Sequence, residues 1–138
     1  MADMIKLELV TPERQILSED VEEVIVPGVD GDLGILAGHT PLLTALRVGE
    51  MSYRKGGKIE YIAIEGGGLV EISSDKVIVL ADAAEHGREI DLQDAIERKL
   101  QAENVLKQER QQDAHQFRNL EAQLKVELTK IQIAEKYK

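Results

Sequence analysis

A β sandwich of short strands, followed by an antiparallel α-helical hairpin, is the fold this sequence predicts, on three observations. All eleven glycines and all three prolines lie at or before Gly87, and the 51 residues after it contain neither. Before that point, alternating and β-branched apolar runs recur about every 8–12 residues with turn residues between them, the signature of an all-β sandwich or barrel. After it, apolar residues recur in steps of three and four, which is helical spacing. The predicted division is a β-sandwich domain over residues 1–85 and a two-helix domain over residues 86–138.

Taken in order, Ile5, Leu7 and Leu9 alternate with Lys6 and Glu8, the period of a half-buried strand, and Thr11-Pro12 stops it. Val24-Ile25-Val26 is a β-branched run that should end at Pro27-Gly28. Met51-Ser52-Tyr53-Arg54 and the alternating stretch from Ile59 through Tyr61 and Ala63 flank Gly56-Gly57. A Gly-Gly pair there predicts a tight hairpin, because glycine reaches positive φ at little cost. Leu69-Val70-Glu71-Ile72 and Val77-Ile78-Val79-Leu80 predict a second hairpin around Ser73-Ser74-Asp75-Lys76. No stretch in this half is long and periodic enough for a crossover helix.

Residues 28–43 hold four glycines, Asp30, Asp32 and His39, and an apolar run. The segment lacks the glycine spacing and lysine of a phosphate cradle, and the ligand count and closing glutamate of a calcium loop. Two readings stay open: a chain weaving between two sheets with glycines at its bends, or a loop presenting Asp30, Asp32 and His39 to another protein. Gly66-Gly67-Gly68 reads as a bulge or a close approach of two backbones.

In the second half, Asp91 before Leu92 has the character of an N-cap, with Asp94 adding negative charge to the first turn. Leu92, Ile96, Leu100, Val105 and Leu106, with Ala95 and Ala102 beside them, are expected to form one apolar face. The stripe lapses between Lys107 and His115, and Asp113 with Gln116 is a candidate second cap. Phe117, Leu120, Leu124, Leu128, Ile131 and Ala134 then continue in steps of three and four. Two such helices fold back antiparallel to bury their stripes on one another. The pairing is marginal, since one-sided burial competes with backbone ordering of about 1–2 kcal/mol per residue. Extended, the segment would reach roughly 75 Å at 1.5 Å per residue.

Composition narrows the function. With no cysteine there are no disulfides or thiolate metal sites, and no apolar run is long enough to span a bilayer. The first residues lack the basic-then-apolar pattern of a secretory signal. The net charge of −9 is uneven: up to Glu85 there are 7 Lys/Arg against 16 Asp/Glu, and from His86 onward 10 against 10. An acidic first half disfavours nucleic acid and anionic lipid and suits a basic protein partner. His39, His86 and His115 are scattered, and no nucleophile elbow or zinc-protease motif appears, so catalysis is not expected.

The segments Gly31-Asp32-Leu33-Gly34-Ile35-Leu36, Gly38-His39-Thr40-Pro41-Leu42-Leu43, Ile64-Glu65-Gly66-Gly67-Gly68-Leu69-Val70-Glu71-Ile72 and Val77-Ile78-Val79-Leu80-Ala81-Asp82 resemble the ε subunits of bacterial F-type ATP synthases. The resemblance covers nearly the whole chain. It implies a β sandwich of about ten strands followed by two helices, in a non-catalytic rotor subunit that binds the γ subunit and rests on the polar loops of the c-ring. The residues it assigns to those contacts are Asp30, Asp32, Gly34, His39, Pro41 and Leu42. It implies helices that either fold down on the sandwich or extend toward the α and β subunits, where they oppose ATP hydrolysis. Gly87 would be the hinge, and Arg118, Lys125, Lys130 and Lys136 the inhibitory contacts. The implied location is the cytoplasmic face of the bacterial plasma membrane, peripheral and without insertion.

Some members of that family bind ATP through Ile/Leu-Asp-x-x-Arg-Ala. This chain has Ile90-Asp91-Leu92-Gln93-Asp94-Ala95, with Glu85 nearby, and an acid stands in the arginine's place. A carboxylate beside phosphates is repulsive, so weak or absent ATP binding and no other cofactor are expected. Two other classes stay open: a nucleotide-sensing module worked by Glu85, Ile90, Asp91 and Ala95, and a sandwich with a coiled-coil arm acting as an unrelated adaptor.

Overall fold

The computed structural model describes residues 3–108 and 114–138. Ten strands are followed by two helices: β1 (Ile5–Val10), β2 (Gln15–Val21), β3 (Glu23–Gly28), β4 (Gly31–Ile35), β5 (Leu42–Leu46), β6 (Gly49–Lys55), β7 (Lys58–Ile64), β8 (Gly68–Ile72), β9 (Lys76–Ala81), β10 (Ala84–His86), α1 (Leu92–Gln108) and α2 (Ala114–Glu135). A single 3-10 turn, Gly87–Glu89, joins the two parts.

The strands hydrogen-bond in the order β10-β7-β6-β3-β5-β8-β9-β1-β2, with β4 paired to β3. The path doubles back between β3 and β5, which share only the pair Gly28 and Leu46. That narrow join divides the sheet into two facing layers, β10-β7-β6-β3-β4 and β5-β8-β9-β1-β2. All pairings are antiparallel except that of β1 with β9. The core lies between the layers. Ile5, Leu7 and Leu9 point into it from β1, Met51 from β6, Ile62 and Ile64 from β7, and Val77 and Val79 from β9, each fully buried. The alternation seen in β1 is therefore real, and its odd positions are the inner ones.

Gly56 and Gly57, at φ 59° and 79°, make the two-residue turn between β6 and β7 that their pairing anticipated. At Gly68 a Cβ would lie 2.9 Å from Ala81 Cα, so the triple glycine marks a close approach of two backbones. Residues 28–43 do weave between the layers, but as strands: β4 pairs with β3 in one layer and β5 with β8 in the other. β3 ends at Pro27-Gly28 as expected, with both residues inside the strand: Pro27 pairs with Asp32, and its carbonyl accepts from the Arg47 N–H at 2.9 Å. Proline is tolerated where the missing donor is not required.

The helical half begins as expected. Asp91 Oδ1 accepts from the Asp94 backbone N–H at 3.0 Å, capping α1. The apolar faces agree with the predicted ones at Ala95, Ala102 and Ala134 and differ elsewhere. Ala95 and Ala102 are buried in α1, whereas Leu100 and Val105 are exposed; in α2, Phe117 and Leu128 are exposed while Ile133 and Ala134 are buried. The reason is that α2 packs on two surfaces, α1 and the outer face of β7 and β6, which turns a different arc inward than a simple two-helix pair would. The second cap at Asp113 lies outside the described residues.

Candidate functional site

Strand β7 is where the two halves meet, and it is buried on both faces. Ile62 and Ile64 fill the sandwich core, while Tyr61 and Ala63 pack outward with Ile90, Leu92, Ile133, Ala134 and Tyr137. Period two thus serves two different partners. The apolar contact is small, and polar groups complete it at both ends.

At one end, Tyr137 ties the end of the chain to the sandwich. Its hydroxyl donates to Glu60 Oε2 at 2.9 Å and accepts from the Tyr61 backbone N–H at 2.8 Å. Its ring meets Tyr61 edge-on at 6.2 Å between centroids, with the Arg88 guanidinium 4.8 Å above it. Arg88 also grips both oxygens of Glu60, at 3.1 and 2.7 Å. That contact, with the Tyr137 hydrogen bond, holds the Glu60 carboxyl below its ordinary range against the opposing effect of burial. Burial pushes the Tyr137 phenol up to about 12, so it is a neutral donor throughout the physiological range. Gly87 sits beneath this ring. A Cβ there would overlap the tyrosine and lie 2.7 Å from Tyr61 O and 2.8 Å from Ile133 Cγ2.

At the other end, Lys130 Nζ lies 3.2 Å from Glu85 Oε2 and 3.9 Å from Glu65 Oε1. Between the ends, Lys136 pairs with Glu50 at 2.8 Å and stands 4.1 Å above the Tyr61 ring. Of the four cations assigned to inhibitory contacts, these two are therefore engaged by the sandwich. Lys125 lines a cleft of about 720 Å³ between α2 and the β3–β6 edge, opposite Asp32 and Arg47. Arg118 donates to the Ala114 carbonyl of its own helix at 3.2 Å.

Of the residues assigned to stalk and ring contacts, the structure brings three together. Asp30, Asp32 and Leu42 surround a hollow of about 190 Å³, and Asp32 is paired with Arg47. Gly34 lies opposite Ile25 within β4, and His39 and Pro41 fall in the connection to β5, where His39 Nδ1 is 2.6 Å from Thr40 O. The candidate nucleotide residues do not converge as free groups. Ile90 and Ala95 are buried, Asp91 caps α1, Glu85 holds Lys130, and Asp94 pairs with Arg98 at 3.0 Å.

Sequence reasoning missed a surface. Ala45, Leu69, Leu80 and Val10 stand side by side across β5, β8, β9 and β1 on the outer face of the layer remote from the helices. Leu69 and Leu80 are about half exposed, and Leu43 beside them is 64% exposed. A contiguous row of this kind marks an interaction surface more often than scattered leucines do. The signal was present in the alternation of β8 and β9, but pairing order was needed to align it.

Among the described residues there is no cluster able to hold a metal ion, and no helix is long and apolar enough to cross a membrane. A two-layer sandwich with an appended helical arm, an outward apolar row and an acidic hollow belongs to the class of protein-binding modules. The comparisons narrow that class. Residues 4–87 match the family described as ATP synthase, Delta/Epsilon chain, beta-sandwich domain. The ATP synthase epsilon chain 2 of Syntrophotalea carbinolica is 45% identical over 134 residues, covering 97% of this chain and 96% of its own. The ATP synthase epsilon chain of Geotalea daltonii is 43% identical over 136 residues, with 99% and 97% covered. A chain in the Euglena gracilis mitochondrial ATP synthase assembly of OSCP, F1 and c-ring superposes with a TM-score of 0.76 over 98% of this chain and 82% of that one. At 22% identity, that likeness speaks to the fold alone. This chain belongs to the ATP synthase epsilon chain family.

Proposed function

We propose that the chain is a non-catalytic central-stalk subunit of an F-type ATP synthase, coupling the γ subunit to the c-ring and restraining ATP hydrolysis through its helices. The observation that carries the reading is the pairing of a bare apolar row on one outer face with a lightly held arm on the other. The row from Ala45 to Val10 is the docking surface for γ. The acidic hollow bearing Asp30, Asp32 and Leu42, together with Gly34, His39 and Pro41, rests on the polar loops of the c-ring. The subunit is accordingly peripheral, at the cytoplasmic face of the membrane.

Lys130 and Lys136 cannot serve the sandwich and another subunit at once. Inhibition through them, with Arg118 and Lys125, requires the arm to leave β7 and extend toward the α and β subunits, turning about Gly87. Deleting all residues after Arg88 from the assembled enzyme should leave assembly and proton coupling intact and raise ATP hydrolysis. Unchanged hydrolysis would remove the inhibitory role, and Leu69→Glu together with Leu80→Glu should weaken retention on γ. ATP is not a strong ligand in this reading, since Asp91 and Glu85 already have partners and Asp94 repels phosphate. Titration of the isolated chain should detect no micromolar binding.

A further inference from the structure

We infer that the contact between α2 and the sandwich is a pH-sensitive latch, tightened by acid and loosened by alkali, whose working groups are Glu65, Glu85, Glu127 and Lys130. Two carboxylates share one ammonium at this junction, and a third stands near it. Glu65 follows β7 and Glu85 lies on β10, and Lys130 reaches both from α2. Glu127, one turn earlier on α2, is only 3% exposed, and its Oε2 has no partner among the described residues. From α1, Asp94 and Arg98 also face Glu127, but they are paired with each other. With every acid ionised, the cluster holds excess negative charge out of water, which is costly.

Protonation relieves that cost. Burial first, then the hydrogen bond and charge of Glu85, push the Glu65 carboxyl up to about 7 against the pull of Lys130. Burial likewise pushes Glu127 upward. Burial disfavours the Lys130 ammonium, yet Glu85 and Glu65 outweigh it and hold the ammonium above its ordinary range, so the lysine stays charged. When the arm departs, Glu65 loses the burial that contributes most to raising it, and its carboxyl moves back toward the ordinary range. The docked form thus binds more protons than the released form. Docking is fully favoured below the ordinary carboxylate value and weakens as pH rises through about 7. From Glu65 alone, the ratio of docked to released arm should fall by up to about tenfold between pH 6 and pH 8.

The Tyr61 backbone N–H reports release directly, because its acceptor is the Tyr137 hydroxyl. Hydrogen exchange of the isolated full chain, divided by the intrinsic rate at each pH, should show Tyr61 protection dropping by up to about tenfold from pH 6 to pH 8. Protection at Val79, in a central strand, should not change. Glu65→Gln should abolish the drop at Tyr61. A change below about twofold in the unmodified chain, or a full drop in Glu65→Gln, would overturn the latch. Should Glu65→Gln also lower Val79 protection, Glu85→Gln takes its place: removing that neighbour should shrink the drop, and a full drop would overturn the proposal. The latch rests on the arm being releasable, but this test needs no other subunit, so a failure here leaves the hydrolysis experiment informative.

Discussion

The two outer faces of the sandwich carry different chemistry, and the contrast explains why only one of them is covered by the chain itself. The face of β5, β8, β9 and β1 presents Ala45, Leu69, Leu80 and Val10, an aliphatic row with no charge in it. The face of β7 and β10 presents Tyr61, Ala63, Glu65 and Glu85, and α2 lies over it. An apolar surface binds without regard to pH and releases reluctantly. A surface of one small apolar cluster ringed by acids and cations holds its partner through contacts that water and neighbouring proteins can replace. The same module is thus equipped for one permanent contact and one reversible contact.

The interior sharpens that contrast. The sandwich core draws on residues from Ile5 to Ala81, whereas among the described residues the arm contributes only Ile90, Ile133 and Ala134 as buried apolar groups against Ala63. Substitutions should therefore separate global from local effects. Leu9→Ala, in the core, should cost about 2–5 kcal/mol and lower the unfolding midpoint of the whole chain. Gly87→Ala should force Tyr137 and Ile133 outward and crowd the Tyr61 carbonyl of β7, at about 1–3 kcal/mol, felt mainly by the arm. Thermal unfolding followed at sandwich and helix signals separately would check both. If Gly87→Ala lowered the sandwich midpoint as much as Leu9→Ala, the two regions would be one cooperative unit.

Smaller effects refine the picture. Tyr137→Phe keeps the ring contacts but removes the donor to Glu60 and the acceptor of the Tyr61 N–H. It should weaken docking by about 1–1.5 kcal/mol, read from a lower midpoint of the helix signal in thermal unfolding. Arg98→Ala breaks only an exposed pair one turn apart on α1 and should cost no more than about 0.5 kcal/mol of helix stability by circular dichroism. A larger loss would mean that Asp94 and Arg98 contribute to the buried cluster more than their mutual pairing suggests.

Much of this organisation was legible in the sequence because it depends on local rules. The alternation of Ile5, Leu7 and Leu9, the Gly56-Gly57 turn and the Asp91 cap each follow from conformational preferences over a few residues. What escaped was set by distant partners. β2, β4 and β5 carry weak alternation and exist because neighbouring strands satisfy their backbones. The exposure of Leu100 and Phe117 follows from α2 serving two surfaces, which no single-helix stripe encodes. The acidic segment was readable as a cluster of residue types, and its hollow needed the fold. The cluster around Lys130 brings together Glu65, Glu85 and Glu127, which are 20 and 42 positions apart in sequence.

The central claim is that a stable sandwich carries an arm that detaches without unfolding it. Hydrogen exchange at fixed pH, across sub-denaturing urea concentrations, tests this at two amides. Tyr61, bonded to the arm, should open at a free energy well below that of Val79 and with little dependence on urea, since detachment exposes little surface. Equal opening free energies and equal urea slopes at the two amides would contradict the account.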